Sequence, residues 1–212
     1  MRGGVAVARI RTVVRDSRWV CVMGTVKLWM QMSLDGFAEG PDGEIHWPVV
    51  DEELCESYLD ELRAADIFLY GRKTFEIMAA FWPTADADPA ISPFYVDFAR
   101  LWKQTPKIVF SRTMRGAGWR TRVVRDGLVE EVGALRAQGR TMILFGGAET
   151  AATFMEYDLI DEYRLFVHPL LLGGGIPLFR KPTDLAAVEL LDVTAYESAV
   201  VQVHYQHAVH AS

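Results

Sequence analysis

Thr141-Met142-Ile143-Leu144-Phe145-Gly146-Gly147-Ala148-Glu149-Thr150 is the stretch whose reading decides the fold. Its apolar first half reads as a strand. Two glycines end that strand, and Ala148, Ala151, Ala152 and Met155 then recur at helical spacing. A strand that turns through glycine directly into a helix is the repeating piece of an α/β sheet.

The same grammar extends in both directions. Upstream, Val26 to Met32 alternates apolar and polar residues, which puts Val26, Leu28, Met30 and Met32 on one strand face. Gly40-Pro41-Asp42-Gly43 is a turn signal, and Asp51 reads as the cap of a helix carrying Leu54, Tyr58 and Leu62. Ile67 to Tyr70 and Lys107 to Ser111 are short buried strands, with helices expected over 74–80 and along Phe94, Phe98 and Trp102. The proline-bearing stretch Phe81 to Pro93 reads as loop. Downstream come a strand from Ile160 to Val167, a glycine run at 173–175, and two strands between Val188 and His207. The expected architecture is an α/β, mostly parallel mixed sheet flanked by helices and ending in an antiparallel hairpin. It forms one domain over 23–208, with an N-terminal extension over 1–22 and a short tail over 209–212.

Composition narrows the function classes. The chain has 212 residues, half of them hydrophobic, and a formal net charge of -6. That acidity argues against nucleic acid as a partner, since phosphate backbones require a basic face. No apolar run approaches the roughly 20 residues that span a bilayer, so no membrane partner is expected. Two cysteines without CxxC spacing fit a reducing cytoplasm. Residues 1–22 are basic but have no uninterrupted apolar core or small-residue cleavage site, which favours a plain extension over a targeting peptide.

Ligands of such sheets bind beyond the carboxyl ends of the strands, and three of those ends carry phosphate-binding chemistry. At Phe145-Gly146-Gly147-Ala148-Glu149-Thr150 the glycines leave room, and the helix start offers unpaired N–H groups to a pyrophosphate. A tight strand-to-helix turn is the alternative reading. At Gly71-Arg72-Lys73-Thr74 two cations sit at a helix start, where each opposes the helix dipole by about 0.3–1 kcal/mol. An anionic ligand there relieves that conflict, and Thr74 can cap the helix or meet a phosphate oxygen. Ser111-Arg112 ends a third strand. Asp35, in Ser33-Leu34-Asp35-Gly36, is either a turn residue or, if burial raises its pKa, a proton donor. The five histidines show no metal-ligand spacing, and no metal is expected.

Taken in order, these motifs resemble the dihydrofolate-reductase superfamily. The nearest branch is the C-terminal reductase domain of the riboflavin-biosynthesis deaminase-reductase and its stand-alone bacterial relatives. Ser33-Leu34-Asp35-Gly36-Phe37 is similar to that branch's first strand and loop. Gly71-Arg72-Lys73-Thr74-Phe75-Glu76 resembles its Gly-Arg-x-Thr motif. Phe145-Gly146-Gly147-Ala148 resembles its Gly-Gly turn, which in the family contains a cis peptide. The run from His168 through Gly173-Gly174-Gly175 to Phe179 resembles a late motif. The resemblance implies NADPH as cofactor and hydride transfer to a small heterocycle of pterin, pyrimidine or flavin-precursor type. It places the cofactor on Gly36, Gly71, Arg72, Lys73, Thr74, Ser111, Arg112 and the 145–150 turn, with the nicotinamide near Met32–Gly36. The 2′-phosphate falls to Arg72, Lys73 and Arg112. Asp35 is the catalytic candidate, and Met32, Trp47, Asp51 and Glu52 are the substrate candidates. Pro48-Val49-Val50 after Trp47 departs from the folate-binding pattern, which argues against folate. The resemblance also suggests a homodimer. The competing reading is a non-catalytic nucleotide- or ligand-binding protein on the same fold.

Overall fold

The computed structural model describes residues 23–45, 47–48, 51–87, 91–180 and 187–208. The elements run β1 (Val26–Ser33), β2 (Phe37–Glu39), α1 (Glu52–Arg63), β3 (Ile67–Gly71), α2 (Arg72–Ala85), α3 (Pro93–Gln104), β4 (Lys107–Phe110), β5 (Thr121–Val124), α4 (Leu128–Ala137), β6 (Met142–Gly146), α5 (Ala148–Glu156), β7 (Glu162–His168), β8 (Ile176–Pro177), β9 (Val188–Ala195) and β10 (Val201–His207). Residues 1–22 and 209–212, expected as extension and tail, lie outside the described residues, as does His46.

Eight strands form one sheet in the order β5-β4-β3-β6-β1-β7-β10-β9. From β5 across to β7 every pairing is parallel; β10 then runs antiparallel to both β7 and β9. This is the mixed, mostly parallel sheet closed by a hairpin that the sequence pattern predicts. A second, two-stranded sheet pairs β2 with β8. These two strands are three and two residues long, too short to show a period.

Helices cover both faces, so there are two cores. On one face Val26, Leu28 and Met30 of β1 pack with Val132 and Leu135 of α4 and with Ala151 and Phe154 of α5. On the other, Trp29, Phe68 and Tyr70 meet Leu54 and Leu62 of α1, Phe75 of α2 and Phe98 and Trp102 of α3. Both faces of β1 are therefore apolar at their centre, as a covered parallel strand requires.

Two local expectations need correction. Helix α2 does not stop at Ala80; it continues to Ala85 with Pro83 inside its last turn. Trp82 packs on α3 there, stacked 5.5 Å from Tyr95 and edge-on 4.3 Å from Phe98. This packing holds the final turn that proline alone would discourage. Thr74 is not the cap of α2 either: Gly71 occupies that position and makes no side-chain cap bond. Asp51 does cap α1, accepting the Leu54 N–H at 2.7 Å.

No helix among the described residues is long and apolar enough to cross a membrane.

Candidate active site

Three cavities lie along the carboxyl ends of β4, β3, β6 and β1, and they share walls. The first, about 580 Å³, is lined by Ser111, Arg112 and Arg125 and by Glu149 and Thr150 of α5. The second, about 190 Å³, holds Gly71, Arg72, Lys73 and Thr74 with Gly146 and Gly147. Phe110, Glu149 and Thr150 belong to both. The third, about 270 Å³, is walled by aromatic side chains and joins the second through Glu39, Thr74 and Gly147. Together they form one groove across the strand ends. The three strand ends singled out by sequence do converge.

Gly147 is the joint of this groove. It has φ 80°, and a Cβ there would meet Thr74 Oγ1 at 2.9 Å. Glycine is thus required both by the backbone and by the close approach of α2 to the turn. No cis peptide occurs among the described residues, so the turn is made by positive φ at Gly146 and Gly147 instead.

The Ala148 N–H at the start of α5 points at a carboxylate. Glu39 Oε1 accepts it at 3.2 Å. An acid from β2 thus stands where the helix dipole favours an anion. Nothing in the pattern around Glu39 marks it, because its partner lies 109 residues away.

The cations are more occupied than their sequence suggests. Arg72 pairs with Glu76 one turn along α2, at 2.9 Å, which already relieves part of the conflict with the helix dipole. Arg112 is exposed and lies 3.4 Å from Asp126. Arg125, absent from the sequence candidates, lines the same cavity and donates to the Arg112 carbonyl at 2.8 Å and the Met114 carbonyl at 3.0 Å. The Ser111 hydroxyl accepts the Thr113 and Met114 N–H groups at 3.3 and 3.1 Å.

The aromatic cavity has a polar floor. Gln31 Nε2 donates to the Tyr58 hydroxyl at 2.9 Å, and Gln31 Oε1 lies 2.6 Å from His168 Nε2. Burial pushes the His168 pKa down to about 4, so its ring is neutral at pH 7 and can donate from Nε2 to that amide oxygen. Trp47 lines the cavity and stands edge-on to His168 at 5.5 Å. Its indole N–H donates to the Glu44 carbonyl at 3.3 Å.

The other expected substrate and catalytic residues sit elsewhere. Asp35 is exposed. Its carboxylate accepts the Ser33 hydroxyl at 2.6 Å and the Leu172 and Gly173 N–H groups at 3.1 and 2.8 Å. The Ser33 hydrogen bond leads in holding its pKa below the usual range, aided by those backbone donors. The premise that burial makes Asp35 a protonated donor is therefore overturned; it latches the β1–β2 turn to the glycine run. Gly36 takes φ 89° in that turn, and its carbonyl accepts the Leu178 N–H at 3.1 Å. Met32 packs against the core rather than the cavity. The β1 residues that reach the cavity are Trp29, Met30 and Gln31. Asp51 is spent on the α1 cap and on the Ser198 N–H at 2.8 Å. The side chain of Glu52 lies outside the described residues. One wall of the cavity comes from α2 and α3, through Met78, Trp82, Phe94, Tyr95 and Phe98, so part of the stretch read as loop is helix and lines the site.

No group of three or more His, Cys, Asp or Glu that could hold a metal ion occurs among the described residues.

Comparison with known proteins settles the family. The model of the RibD C-terminal domain matches residues 24–202, nearly all of the described chain. The chain belongs to the RibD C-terminal domain family. Within curated relatives, the uncharacterized protein YyaP of Bacillus subtilis strain 168 is 34% identical over 180 residues, covering 83% of this chain and 91% of YyaP. Among solved structures, a putative riboflavin biosynthesis protein from Shewanella sp. PV-4 superposes with a TM-score of 0.67 at 23% identity, over 88% of this chain and all of that one. The Thermotoga maritima diaminohydroxyphosphoribosylaminopyrimidine deaminase/5-amino-6-(5-phosphoribosylamino)uracil reductase gives 0.61 at 15% identity, over 88% of this chain and 57% of that one. These structures share their fold with this chain.

Proposed function

We propose that this RibD-domain chain is an NADPH-dependent reductase acting on a small heterocycle. The observation that carries the reading is the continuous groove, in which a stretch lined by Arg72, Lys73 and Thr74 opens directly into a cavity walled by aromatic rings. The fit to a dinucleotide rests on this chain's own atoms. The Ala148 N–H at the start of α5 holds the Glu39 carboxylate, an oxyanion that a pyrophosphate would have to displace to take this donor. Gly146 and Gly147 leave the backbone bare beside it. Arg72, Lys73, Thr74 and Ser111, with Arg112 and Arg125, would hold the adenosine end and its 2′-phosphate. NADPH, when bound, supplies the hydride.

The chain's own part is binding, orientation and exclusion of water. Phe145 and Gly147 wall the cavity where a nicotinamide and a substrate ring would meet. Gln31 and Tyr58 present neutral polar atoms to it, with the buried His168 holding the Gln31 amide from behind. The ionised, exposed Asp35 favours one second reading, a binding protein without turnover.

The test is a melting series. NADPH at about 100 times its dissociation constant should add about 2.7 kcal/mol of stability. Charge reversal at Arg72 and Lys73 should weaken NADPH more than NADH. No shift with either dinucleotide sinks the reading, and equal losses in the variants refute the 2′-phosphate assignment. Binding without NADPH oxidation across pterins, flavin precursors and quinones would favour the binder.

A further inference from the structure

We infer that the ring cavity takes an uncharged, flat aromatic ligand that carries no phosphate. The inference rests on the reductase reading for its chemistry, but the binding preference stands on the cavity alone.

The walls come first. Trp29, Tyr58, Trp82, Tyr95, Phe98 and Phe145 surround a space of about 270 Å³. Ligand sites usually span about 300–1,000 Å³, so this one is small. Aromatic faces set around a narrow space favour a flat ring over a sugar, whose hydroxyls would lose water and gain few partners.

Charge decides the rest. Among the described residues lining this cavity, the single charged side chain is Glu39, an acid. No arginine, lysine or histidine is among them. A phosphate drawn in from water would need cationic partners to offset its desolvation, and it would face a carboxylate instead. The nearest cations in the groove, Arg72 and Lys73, line the neighbouring cavity beyond Thr74 and Gly147. That stretch would hold the cofactor's own phosphates.

The floor then states what the ring must offer. Gln31 gives one amide N–H to Tyr58 and fixes its oxygen against His168. A primary amide has two N–H donors, which leaves one to meet a ring carbonyl. The ligand class is therefore a neutral flat ring bearing a carbonyl acceptor. It differs from the phosphoribosylamino-uracil that names the Thermotoga reductase.

The experiment is calorimetric titration of the full chain with menadione, lumichrome, 5-amino-6-(5-phosphoribosylamino)uracil and the same uracil without its phosphate. Menadione or lumichrome should bind at least about tenfold more tightly than the phosphorylated uracil, which is about 1.4 kcal/mol. Removing the phosphate should strengthen uracil binding. The inference is overturned if the phosphorylated compound binds as tightly as the fused rings, if removing its phosphate weakens it, or if neither fused ring binds. A Met78→Lys variant, checked for folding by circular dichroism, places a cation in the wall; it should improve the phosphorylated ligand and weaken menadione. NADPH binding is read separately by melting. Fused-ring preference without an NADPH shift would remove the reductase reading and keep this one; an NADPH shift without the preference would do the reverse.

Discussion

His168 shows how much one buried side chain can set. It is fully buried, its Nε2 holds the Gln31 amide, and burial lowers its pKa from 6.5 to about 4. In the unfolded chain the same imidazole takes up its proton near pH 6.5. Between these values the unfolded state binds more protons than the folded one, so folding stability falls as pH drops from 6.5 to 4. Urea melts across that window should show the decline, and His168→Gln, which does not titrate, should show a shallower one. An equal slope in the variant would sink the assignment. Asp35 is the opposite case at the same scale. Its sequence setting, between a strand and a glycine, suits a proton donor and a turn equally well. The partners that decide between them, Leu172 and Gly173, lie 137 and 138 residues away. Local pattern cannot reach across that distance, and the same holds for the Ser198 contact of Asp51.

At the scale of elements, the segments with a clear period were legible. β1, β3, β4, β6 and β7 and helices α1, α3 and α5 fall where their apolar spacing puts them. Misread segments are those that neighbours decide. α2 outruns its proline because α3 supplies aromatic rings to Trp82, and β2 and β8 exist through each other. Gly175 shows how tightly that small sheet is placed: it has φ 130°, and a Cβ there would overlap the Glu39 carbonyl and lie 2.9 Å from Gly40 C. The pairing of β2 with the start of α5 carries a prediction. Glu39 neutralises the helix terminus that a dinucleotide phosphate needs. Glu39→Gln keeps a hydrogen-bond acceptor and removes the competing charge. A carboxylate at a helix start contributes about 0.3–1 kcal/mol. NADPH affinity should therefore rise by about two- to fivefold at low salt, with a smaller gain at high salt. Unchanged or weaker affinity in a titration of the variant would refute the competition.

Across the whole molecule, the groove occupies one rim of the sheet and a buried lysine lies at the other. Lys107, at the opening end of β4, is 1% exposed and donates to the Thr105 and Trp119 carbonyls at 2.8 and 2.9 Å. Burial, with the nearby Arg120 charge, lowers its pKa from 10.5 to about 8. The unfolded state then binds more protons between pH 8 and 10.5, so stability should rise with pH over that range. Tyr58 and Tyr70, raised by burial, oppose the rise above pH 10. Denaturant melts should show the increase in the wild-type chain and lose it in Lys107→Met. Architecture was readable at this scale because alternating strand and helix patterns leave few topologies. The ring cavity was legible only at Trp47, since its other aromatic residues come from β1, β6, α1, α2 and α3 and are ordinary core residues when read one by one. The shared walls of the groove have a last consequence. Glu39, Thr74 and Gly147 line both cavities, so a dinucleotide in one and a ring ligand in the other would touch the same residues. Whatever factor the first changes the second's affinity by, the second must return to the first; order of addition can alter the path to the ternary complex but not its free energy.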